Sequence, residues 1–275
     1  MKKWFAVIGD PIKHSKSPEM HHFWYEQMNE DAAYVPIHVT PALLEQAVQS
    51  MKLLGASGWN VTIPHKEAII PYLDALDEQA KKMGAVNTVV RQADGTLKGY
   101  NTDGLGFVRS LEEAIGSSKK HERLLLIGAG GAARGIAFAL QASGYTNITI
   151  ANRTVEKAAA IVRELGSGTA ISLQQAGEQL AQFDILVQTT SAGLSDDFSM
   201  PFPLTHLRAH TVVADIVYNP LVTPFLAAAK EHGAHIVTGV GMFVHQGAIA
   251  YEHWLQQTPN TNAMIARLTA QLGGN

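Results

Sequence analysis

The chain alternates between short runs of consecutive apolar residues and longer segments in which apolar residues recur every three or four positions. The short runs predict buried strands, and the longer segments predict amphipathic helices. The predicted strands are residues 4–9, 33–39, 57–62, 85–91, 96–100, 124–127, 147–151, 184–189, 211–217 and 234–237. The predicted helices are residues 19–28, 41–54, 104–115, 132–142, 155–165, 223–232, 239–256 and 262–272, with one or two more before residue 82. Such alternation is typical of α/β proteins.

Two local signals refine this pattern. Asp94-Gly95, between the strands predicted at 85–91 and 96–100, predicts a β-hairpin. Ser17-Pro18 predicts the start of a helix, with Ser17 as the N-cap residue and proline at the first helical position.

A glycine-rich turn follows the strand predicted at 124–127. Gly128, Gly130 and Ala133 occupy the small positions of the Gly-x-Gly-x-x-Gly/Ala pattern of dinucleotide-binding proteins. Gly128 permits a tight turn, Gly130 lets backbone N–H groups approach a pyrophosphate, and Ala133 lets the helix pack close to the strand. A plain strand-to-helix turn also uses small residues, but a strand before and a helix after the pattern favour a dinucleotide.

The end of the next predicted strand indicates which dinucleotide is bound. Proteins that bind the non-phosphorylated cofactor typically have an acidic residue there, which holds the ribose 2′-OH. This chain has Arg153 instead, and a guanidinium can bind a 2′-phosphate through two hydrogen bonds. Lys157, one helical turn further on, could add positive charge. The sequence therefore predicts NADP rather than NAD.

Composition argues against several other classes of protein. The 275 residues carry a formal net charge of −3, which does not indicate a nucleic-acid or membrane-surface partner. The absence of cysteine excludes disulfides and thiolate chemistry. The apolar run before Asp10-Pro11 is too short for a signal peptide, and no run approaches the ~18 apolar residues of a membrane span. We therefore expect a cytoplasmic protein.

Polar residues gather where several predicted strands end, which is where open α/β sheets bind ligands. Each has a simpler explanation in local structure: a serine or aspartate can cap a helix, an asparagine or threonine can close a turn, and a lysine can be a solvated charge. Taken singly, the simpler explanation is favoured at each position. The residues concerned are Ser15, Ser17, Asn60, Thr62, Lys66, Asn87 and 101–103.

Nine short segments, taken together and in order, change this balance. They are residues 9–18 (GDPIKHSKSP), 60–66 (NVTIPHK), 84–88 (GAVNT), 99–104 (GYNTDG), 128–133 (GAGGAA), 152–154 (NRT), 190–191 (TS), 215–220 (DIVYNP) and Gly241-Met242 with Gln246. On these segments the chain resembles the shikimate dehydrogenase family over nearly its whole length. One segment would be weak evidence, but the ordered set is specific.

The resemblance implies a reaction and a set of residues. The reaction is the reversible reduction of 3-dehydroshikimate to shikimate by NADPH, in aromatic amino acid biosynthesis. Lys66 and Asp103 are implied as the catalytic pair. The implied substrate-binding residues are Ser15 and Ser17 for the carboxylate, Thr62, Asn87 and Gln246 for the ring hydroxyls, and Tyr218. The implied cofactor-binding residues are Gly128, Ala129, Gly130, Gly131, Ala132, Asn152, Arg153, Thr154, Lys157, Thr190, Gly239 and Met242, and no metal is needed.

Residue chemistry agrees with this reaction. Reducing a ketone needs a hydride on carbon, which a nicotinamide supplies, and a proton on oxygen, which a lysine ammonium can supply. Asp103 is then interpreted as the residue that orients Lys66 and binds substrate. Serine hydroxyls suit a carboxylate because they donate hydrogen bonds without adding charge.

The chain departs from the family pattern at four positions. Gln188 stands where asparagine is usual, Phe243 where leucine is common, and His245 where a small residue is usual. These three changes concern the shape of the nicotinamide pocket. Lys157 stands where some members have arginine, which would weaken 2′-phosphate binding somewhat.

The implied architecture is α/β with two domains and a cleft between them. We expect a substrate domain of residues 1–103 and 242–275, and a Rossmann-type NADP-binding domain of residues 104–241 with a mostly parallel sheet. Two alternatives are a quinate/shikimate dehydrogenase with relaxed cofactor use, against which Arg153 argues, and a non-catalytic NADPH sensor, against which Lys66 and Asp103 argue. The sequence leaves a monomer and a homodimer open.

Overall fold

The protein is described by a computed structural model that covers residues 2–190 and 200–273. The chain forms two compact units. Unit 1 comprises Met1–Thr102 and Gln246–Met264, and unit 2 comprises Asp103–His245 and Ile265–Asn275. The division therefore differs from the expected boundaries at Asp103, at residues 242–245 and after Met264. Two of these boundaries fall inside the last two helices of the chain. Helical periodicity predicts a helix but does not show which apolar core each half of it packs against, so the sequence did not indicate these boundaries.

Unit 1 contains a six-stranded mixed sheet in the order β2-β1-β3-β5-β6-β4. The strands are β1 (Lys3–Gly9), β2 (Ala32–His38), β3 (Gly58–Val61), β4 (Ala75–Leu76), β5 (Thr88–Arg91) and β6 (Leu97–Tyr100). β1 pairs in parallel with both β2 and β3, whereas β5 pairs antiparallel with β3 and β6. The predicted hairpin is thereby confirmed as β5 and β6.

Four helices belong to the N-terminal part of unit 1. They are α1 (Ser17–Met28), α2 (Leu44–Leu53), α3 (His65–Ala68) and α4 (Glu78–Met83). The prediction that Ser17 caps α1 is wrong, because Lys16 is the N-cap and Ser17 is already helical. The Ser17 N–H instead donates to the Ser15 hydroxyl oxygen (3.3 Å), so a serine outside the helix satisfies one of its first N–H groups.

Unit 2 contains a six-stranded parallel sheet in the order β12-β11-β10-β7-β8-β9. The strands are β7 (Leu124–Ile127), β8 (Ile148–Asn152), β9 (Thr169–Ser172), β10 (Ile185–Gln188), β11 (Val212–Asp215) and β12 (His235–Val237). Counted from β7, this is the 3-2-1-4-5-6 order of the Rossmann fold, whose ligands lie at the carboxyl ends of the strands.

The remaining helices are α5 (Asp103–Ile115), α6 (Gly131–Ala142), α7 (Val155–Leu165), α8 (Leu173–Glu178), α9 (Pro224–Glu231), α10 (Gly239–Leu255) and α11 (Thr261–Gln271). The central strands of unit 2 are buried on both faces, and two apolar clusters lie against the sheet. Leu124 and Leu126 belong to one cluster, whereas Leu125 and Ile127 belong to the other. Within residues 2–190 and 200–273, no helix is both long enough and apolar enough to span a bilayer.

Candidate active site

Ser15 and Ser17 lie between β1 and α1. The Ser15 N–H donates to the Ile12 carbonyl (3.1 Å), which closes a turn, and the Ser15 hydroxyl oxygen accepts from the Ser17 N–H. Accepting this bond does not use the hydroxyl's own proton, which is the group a carboxylate needs. Ser15 is half-buried, and Ser17 is only 7% exposed.

A series of hydrogen bonds runs through the interior of unit 1 from Ser17 to Asn87. The Ser17 side chain bonds to the Tyr34 hydroxyl, which donates to Asn60 Oδ1 at 2.7 Å. Asn60 Nδ2 donates to Thr88 Oγ1 (3.0 Å) and to the Asn87 carbonyl (3.1 Å). The Thr88 hydroxyl then donates to Asn87 Oδ1 (3.0 Å). All five residues are buried, so the series is shielded from competing water.

Thr102 continues the network to α10. Its N–H donates to Asn87 Oδ1 (2.9 Å), its hydroxyl oxygen accepts from Asn87 Nδ2 (2.9 Å), and its hydroxyl lies 3.0 Å from the Gln246 carbonyl as a donor. The Asn87 amide oxygen is therefore used within the fold by Thr88 and Thr102. Asp103 is the next residue in the chain and begins α5.

Lys66 and Thr62 follow β3. The Lys66 carbonyl accepts from the Val86 N–H (2.7 Å), and the Thr62 N–H donates to the Ile8 carbonyl (3.0 Å). His65 Nε2 lies 2.6 Å from the Val39 carbonyl, which fixes the first residue of α3. The backbone of the predicted catalytic lysine is thereby held on both sides, while its side chain remains half-buried.

In unit 2, close packing of α5 on α6 positions Asp103. A Cβ atom at Gly104 would lie 2.5 Å from the Gly135 carbonyl oxygen and 2.8 Å from Ala139 Cβ, so only glycine allows this approach. Asp103 is half-buried in the first turn of the helix packed in this way.

The glycine-rich turn has the form expected of a dinucleotide site. Gly128 has φ +115°, and a Cβ atom there would lie 2.7 Å from Thr189 Oγ1. A Cβ atom at Gly130 or Gly131 would meet no protein atom within 4 Å, so folding does not explain these two glycines. Ala133 is completely buried where α6 packs on the sheet. Space therefore lies beside Gly130 at the N-terminus of α6, which no side chain of the described residues caps.

A second open helix start adjoins the end of β8. Asn152 Nδ2 donates to the Thr154 carbonyl (2.9 Å), which fixes the turn around Arg153. Thr154 is the N-cap of α7 without a side-chain hydrogen bond to the helix. Arg153, Thr154 and Lys157 are exposed, so two cations flank this helix start and can reach an anion.

Gln188 holds the start of the loop after β10. Its Oε1 accepts from both the N–H and the hydroxyl of Thr190 (both 3.1 Å). Gln188 is 1% exposed, and its Nε2 has no hydrogen-bond partner among the described residues. Ser191, the other member of the Thr190-Ser191 motif, lies outside the described residues.

The last predicted contacts lie around α10. Gly239 begins the helix and is buried against the Ile216–Val217 backbone, and Met242 is half-buried beside the unit 2 core. Tyr218 and Phe243 stack with ring centroids 4.6 Å apart, and burial raises the pKa of Tyr218. Phe243, one of the departures from the family pattern, therefore packs on Tyr218, a predicted substrate-binding residue.

Two carboxylates of unit 2 have structural partners. Burial raises the pKa of Asp215, while bonds from the Val217 N–H (3.0 Å) and the Thr223 hydroxyl (2.7 Å) act in the opposite direction. Glu113 lies 2.6 Å from His245 Nε2, so His245 ties α10 to α5. Among the residues that the structure describes, no group of His, Cys, Asp or Glu side chains is arranged to hold a metal ion.

The structure brings part of the predicted set together. Ser17, Asn87 and the backbone of Gln246 share one network in unit 1, and the glycine turn, Arg153 and Thr190 follow the C-terminal ends of adjacent strands in unit 2. Tyr34 and Thr88 link this network but were not singled out from the sequence. No local motif marks Tyr34, since its partner Asn60 is 26 residues away.

Three family models match the chain. "Shikimate dehydrogenase substrate binding domain" matches residues 7–89, "Shikimate / quinate 5-dehydrogenase" matches residues 110–195, and "Shikimate 5'-dehydrogenase C-terminal domain" matches residues 239–269. Curated proteins named "Shikimate dehydrogenase (NADP(+))" from Lysinibacillus sphaericus and Bacillus cereus are 68% and 46% identical to this chain. Each alignment covers the whole of both chains.

Solved structures agree with the sequence matches. Shikimate 5-dehydrogenase from Thermus thermophilus, in complex with NADP(H) and shikimate, has a TM-score of 0.87 and 34% identity, over 98% of this chain and 99% of that chain. Quinate dehydrogenase from Corynebacterium glutamicum, in complex with NAD, has a TM-score of 0.88 and 28% identity over the same shares. The expected α/β class, NADP-dependent oxidoreductase activity and family are confirmed: the chain belongs to the shikimate dehydrogenase family.

Proposed function

We propose that the protein reduces 3-dehydroshikimate to shikimate with NADPH, reversibly, and that Lys66 and Asp103 carry the proton chemistry. The observation that carries the substrate assignment is the buried network of unit 1. It joins Ser17, Asn87 and the Gln246 backbone, so groups suited to a carboxylate and to ring hydroxyls are held by one set of hydrogen bonds.

The substrate has chemistry that these side chains match. Its carboxylate would accept one hydrogen bond from the Ser15 hydroxyl and one from the Ser17 hydroxyl, whose proton would turn to it from the Tyr34 oxygen. Its ring hydroxyls would bond to Thr62, Asn87 and Gln246, and Asn87 would act as a donor because its amide oxygen is already used by Thr88 and Thr102. Tyr218 would lie beside the ring.

The residues of unit 2 fit NADP. Space beside Gly130 and the uncapped start of α6 suit a pyrophosphate, and Arg153 with Lys157 suits a 2′-phosphate at the start of α7. The residues that would hold the cofactor are those of the glycine turn (128–132), Asn152, Arg153, Thr154, Lys157, Thr190, Gly239 and Met242. When bound, NADPH supplies the hydride for the carbonyl carbon.

Lys66 would deliver the proton to the carbonyl oxygen and stabilise the negative charge that develops there. Asp103 would orient the Lys66 ammonium and bind a substrate hydroxyl. In the oxidation of shikimate, Lys66 would take the hydroxyl proton as the hydride leaves the same carbon. In this scheme Lys66 gives and takes the proton, and Asp103 keeps its protonation state.

One assay tests the proposed function and its alternatives. Purified protein is incubated with shikimate or quinate and with NADP or NAD, and the absorbance of the reduced nicotinamide is followed. We expect turnover with shikimate and NADP at a kcat/KM at least ~10-fold above that with shikimate and NAD, since charge-assisted contacts to the 2′-phosphate contribute on this scale. Equal turnover with quinate and NAD would favour the quinate/shikimate alternative, and no turnover with any pair would favour an NADPH sensor.

A further inference from the structure

We propose that Tyr34 is a positioning residue for the substrate, whose hydroxyl holds Ser17 and Asn60 in the arrangement that binds shikimate. The inference rests on the proposed function and adds a residue remote from the ligand. Tyr34 is completely buried in β2, and its ring stacks on His21 with centroids 4.3 Å apart. The ring is therefore fixed, and its hydroxyl has one position from which to bond.

The Tyr34 proton begins a series of directed hydrogen bonds. It is donated to Asn60 Oδ1, so Asn60 must present Nδ2 to Thr88 Oγ1 and to the Asn87 carbonyl. The reverse amide orientation would bring Asn60 Oδ1 against the Asn87 carbonyl oxygen, and two acceptors cannot bond to each other. The Asn87 carbonyl therefore selects the orientation of the Asn60 amide, and the Tyr34 hydroxyl stabilises this orientation by donating to Oδ1.

The selected orientation reaches the predicted substrate residue Asn87. Because Thr88 Oγ1 accepts from Asn60, its own proton is directed to Asn87 Oδ1. That oxygen also accepts from the Thr102 N–H, so it stays turned into the protein. Asn87 would then donate a hydrogen bond to the substrate from its amide nitrogen.

The Tyr34 oxygen also bonds to Ser17, the residue predicted to bind the substrate carboxylate. It accepts the Ser17 proton, because its own proton goes to Asn60, and this bond holds Ser17 in one rotamer until the proton turns to the substrate carboxylate. Burial, with a smaller contribution from Tyr25, holds the pKa of Tyr34 well above its ordinary value of 10, so the hydroxyl stays protonated at neutral pH. Loss of this hydroxyl would remove one hydrogen bond from Ser17 and one from Asn60.

The chain offers a matched control in Tyr25. This residue is 3% exposed in the same aromatic cluster, and its ring centroid lies 6.1 Å from those of His21 and Phe5. Its hydroxyl has no hydrogen-bond partner among the described residues. Tyr25→Phe therefore removes the same group as Tyr34→Phe without breaking a bond.

The test compares Tyr34→Phe, Tyr25→Phe and the unaltered protein, by calorimetric titration with shikimate and by steady-state kinetics. We expect Tyr34→Phe to weaken shikimate binding and to raise the shikimate KM by about 3- to 10-fold, the equivalent of one net hydrogen bond. The KM for NADP should stay within twofold, and Tyr25→Phe should match the unaltered protein in both constants. A merely structural role would lower the melting temperature of Tyr34→Phe without this selective change.

Two further variants make the test decisive. Thr88→Val cuts the network between Asn60 and Asn87 and should reproduce the rise in shikimate KM, so it decides the question if Tyr34→Phe does not fold. Combining Tyr34→Phe with Ser17→Ala should cost less than the sum of the two separate effects. Shikimate constants that equal those of Tyr25→Phe, or strictly additive effects, would overturn the inference. If the unaltered protein does not turn over shikimate, the proposed function fails instead.

Discussion

His21 links the stability of unit 1 to pH. It is completely buried, and neither ring nitrogen has a hydrogen-bond partner among the described residues. Burial, with a smaller contribution from the neighbouring His22, lowers the pKa of His21 from 6.5 to about 3. The folded protein therefore keeps this imidazole neutral over a pH range in which the unfolded chain protonates it.

The size of the effect follows from the two pKa values. Between pH 3 and pH 6.5 the unfolded chain binds one more proton at this site, so the free energy of unfolding falls as the pH falls through that range. One pKa unit corresponds to about 1.36 kcal/mol, and pH 5 lies about 1.5 units below the unfolded pKa of His21. We expect His21 to account for a loss of about 2 kcal/mol between pH 7 and pH 5.

Urea unfolding at pH 7 and pH 5 measures this loss. Trp24 and Trp254 pack against the His21 ring with centroids 5.4 Å away, so tryptophan fluorescence reports on this cluster. His21→Phe should lose about 2 kcal/mol less than the unaltered protein over this interval. His232→Gln, which replaces an exposed histidine, should behave like the unaltered protein. An equal loss in His21→Phe and in the unaltered protein would refute the reasoning.

Three other substitutions test the site. Arg153→Ala should raise the KM for NADP by about 10- to 100-fold and leave that for NAD within twofold, since only the 2′-phosphate contact is lost; equal changes for both cofactors would contradict this role. Thr102→Val keeps the side-chain shape but removes the hydroxyl that accepts from Asn87 Nδ2, and should raise the shikimate KM about 10-fold in steady-state kinetics. An unchanged KM would show that this bond does not order the site. Gly128→Ala should lower the free energy of unfolding by at least ~1 kcal/mol, because alanine is strained at φ +115° and its Cβ would clash with Thr189. In denaturant unfolding, a variant with the same midpoint as the unaltered protein would disprove this.

The sequence predicts the strongly patterned elements most accurately. The bounds of β7 and α7 agree with the predicted residues 124–127 and 155–165, because a continuous apolar run and a clear amphipathic face mark them. The strand β9 was missed. Only Ile171 is buried in it, since it lies at the edge of the sheet, and its composition resembles that of a loop.

The candidate site was predictable where residues act in short segments. The glycine turn and Arg153 follow from spacing within one strand–turn–helix unit. The network around Asn87 did not follow, because Tyr34, Asn60 and Thr102 come from separate segments and meet only in the folded sheet. The hydrogen-bond partner of a polar side chain in an apolar strand can be identified only when the pairing register of the strands is known.

The direct test of the central claim is the turnover number of Lys66→Met, which keeps an unbranched side chain one atom shorter and removes the ammonium. The assay is oxidation of shikimate with saturating NADP, with Lys81→Met as a control, since Lys81 is an exposed lysine of the same unit that pairs with Glu78 (2.8 Å). We predict that kcat falls at least ~10²-fold in Lys66→Met, with a smaller change in shikimate KM, and stays unaltered in Lys81→Met. A Lys66→Met enzyme with the kcat of the unaltered protein would contradict the account.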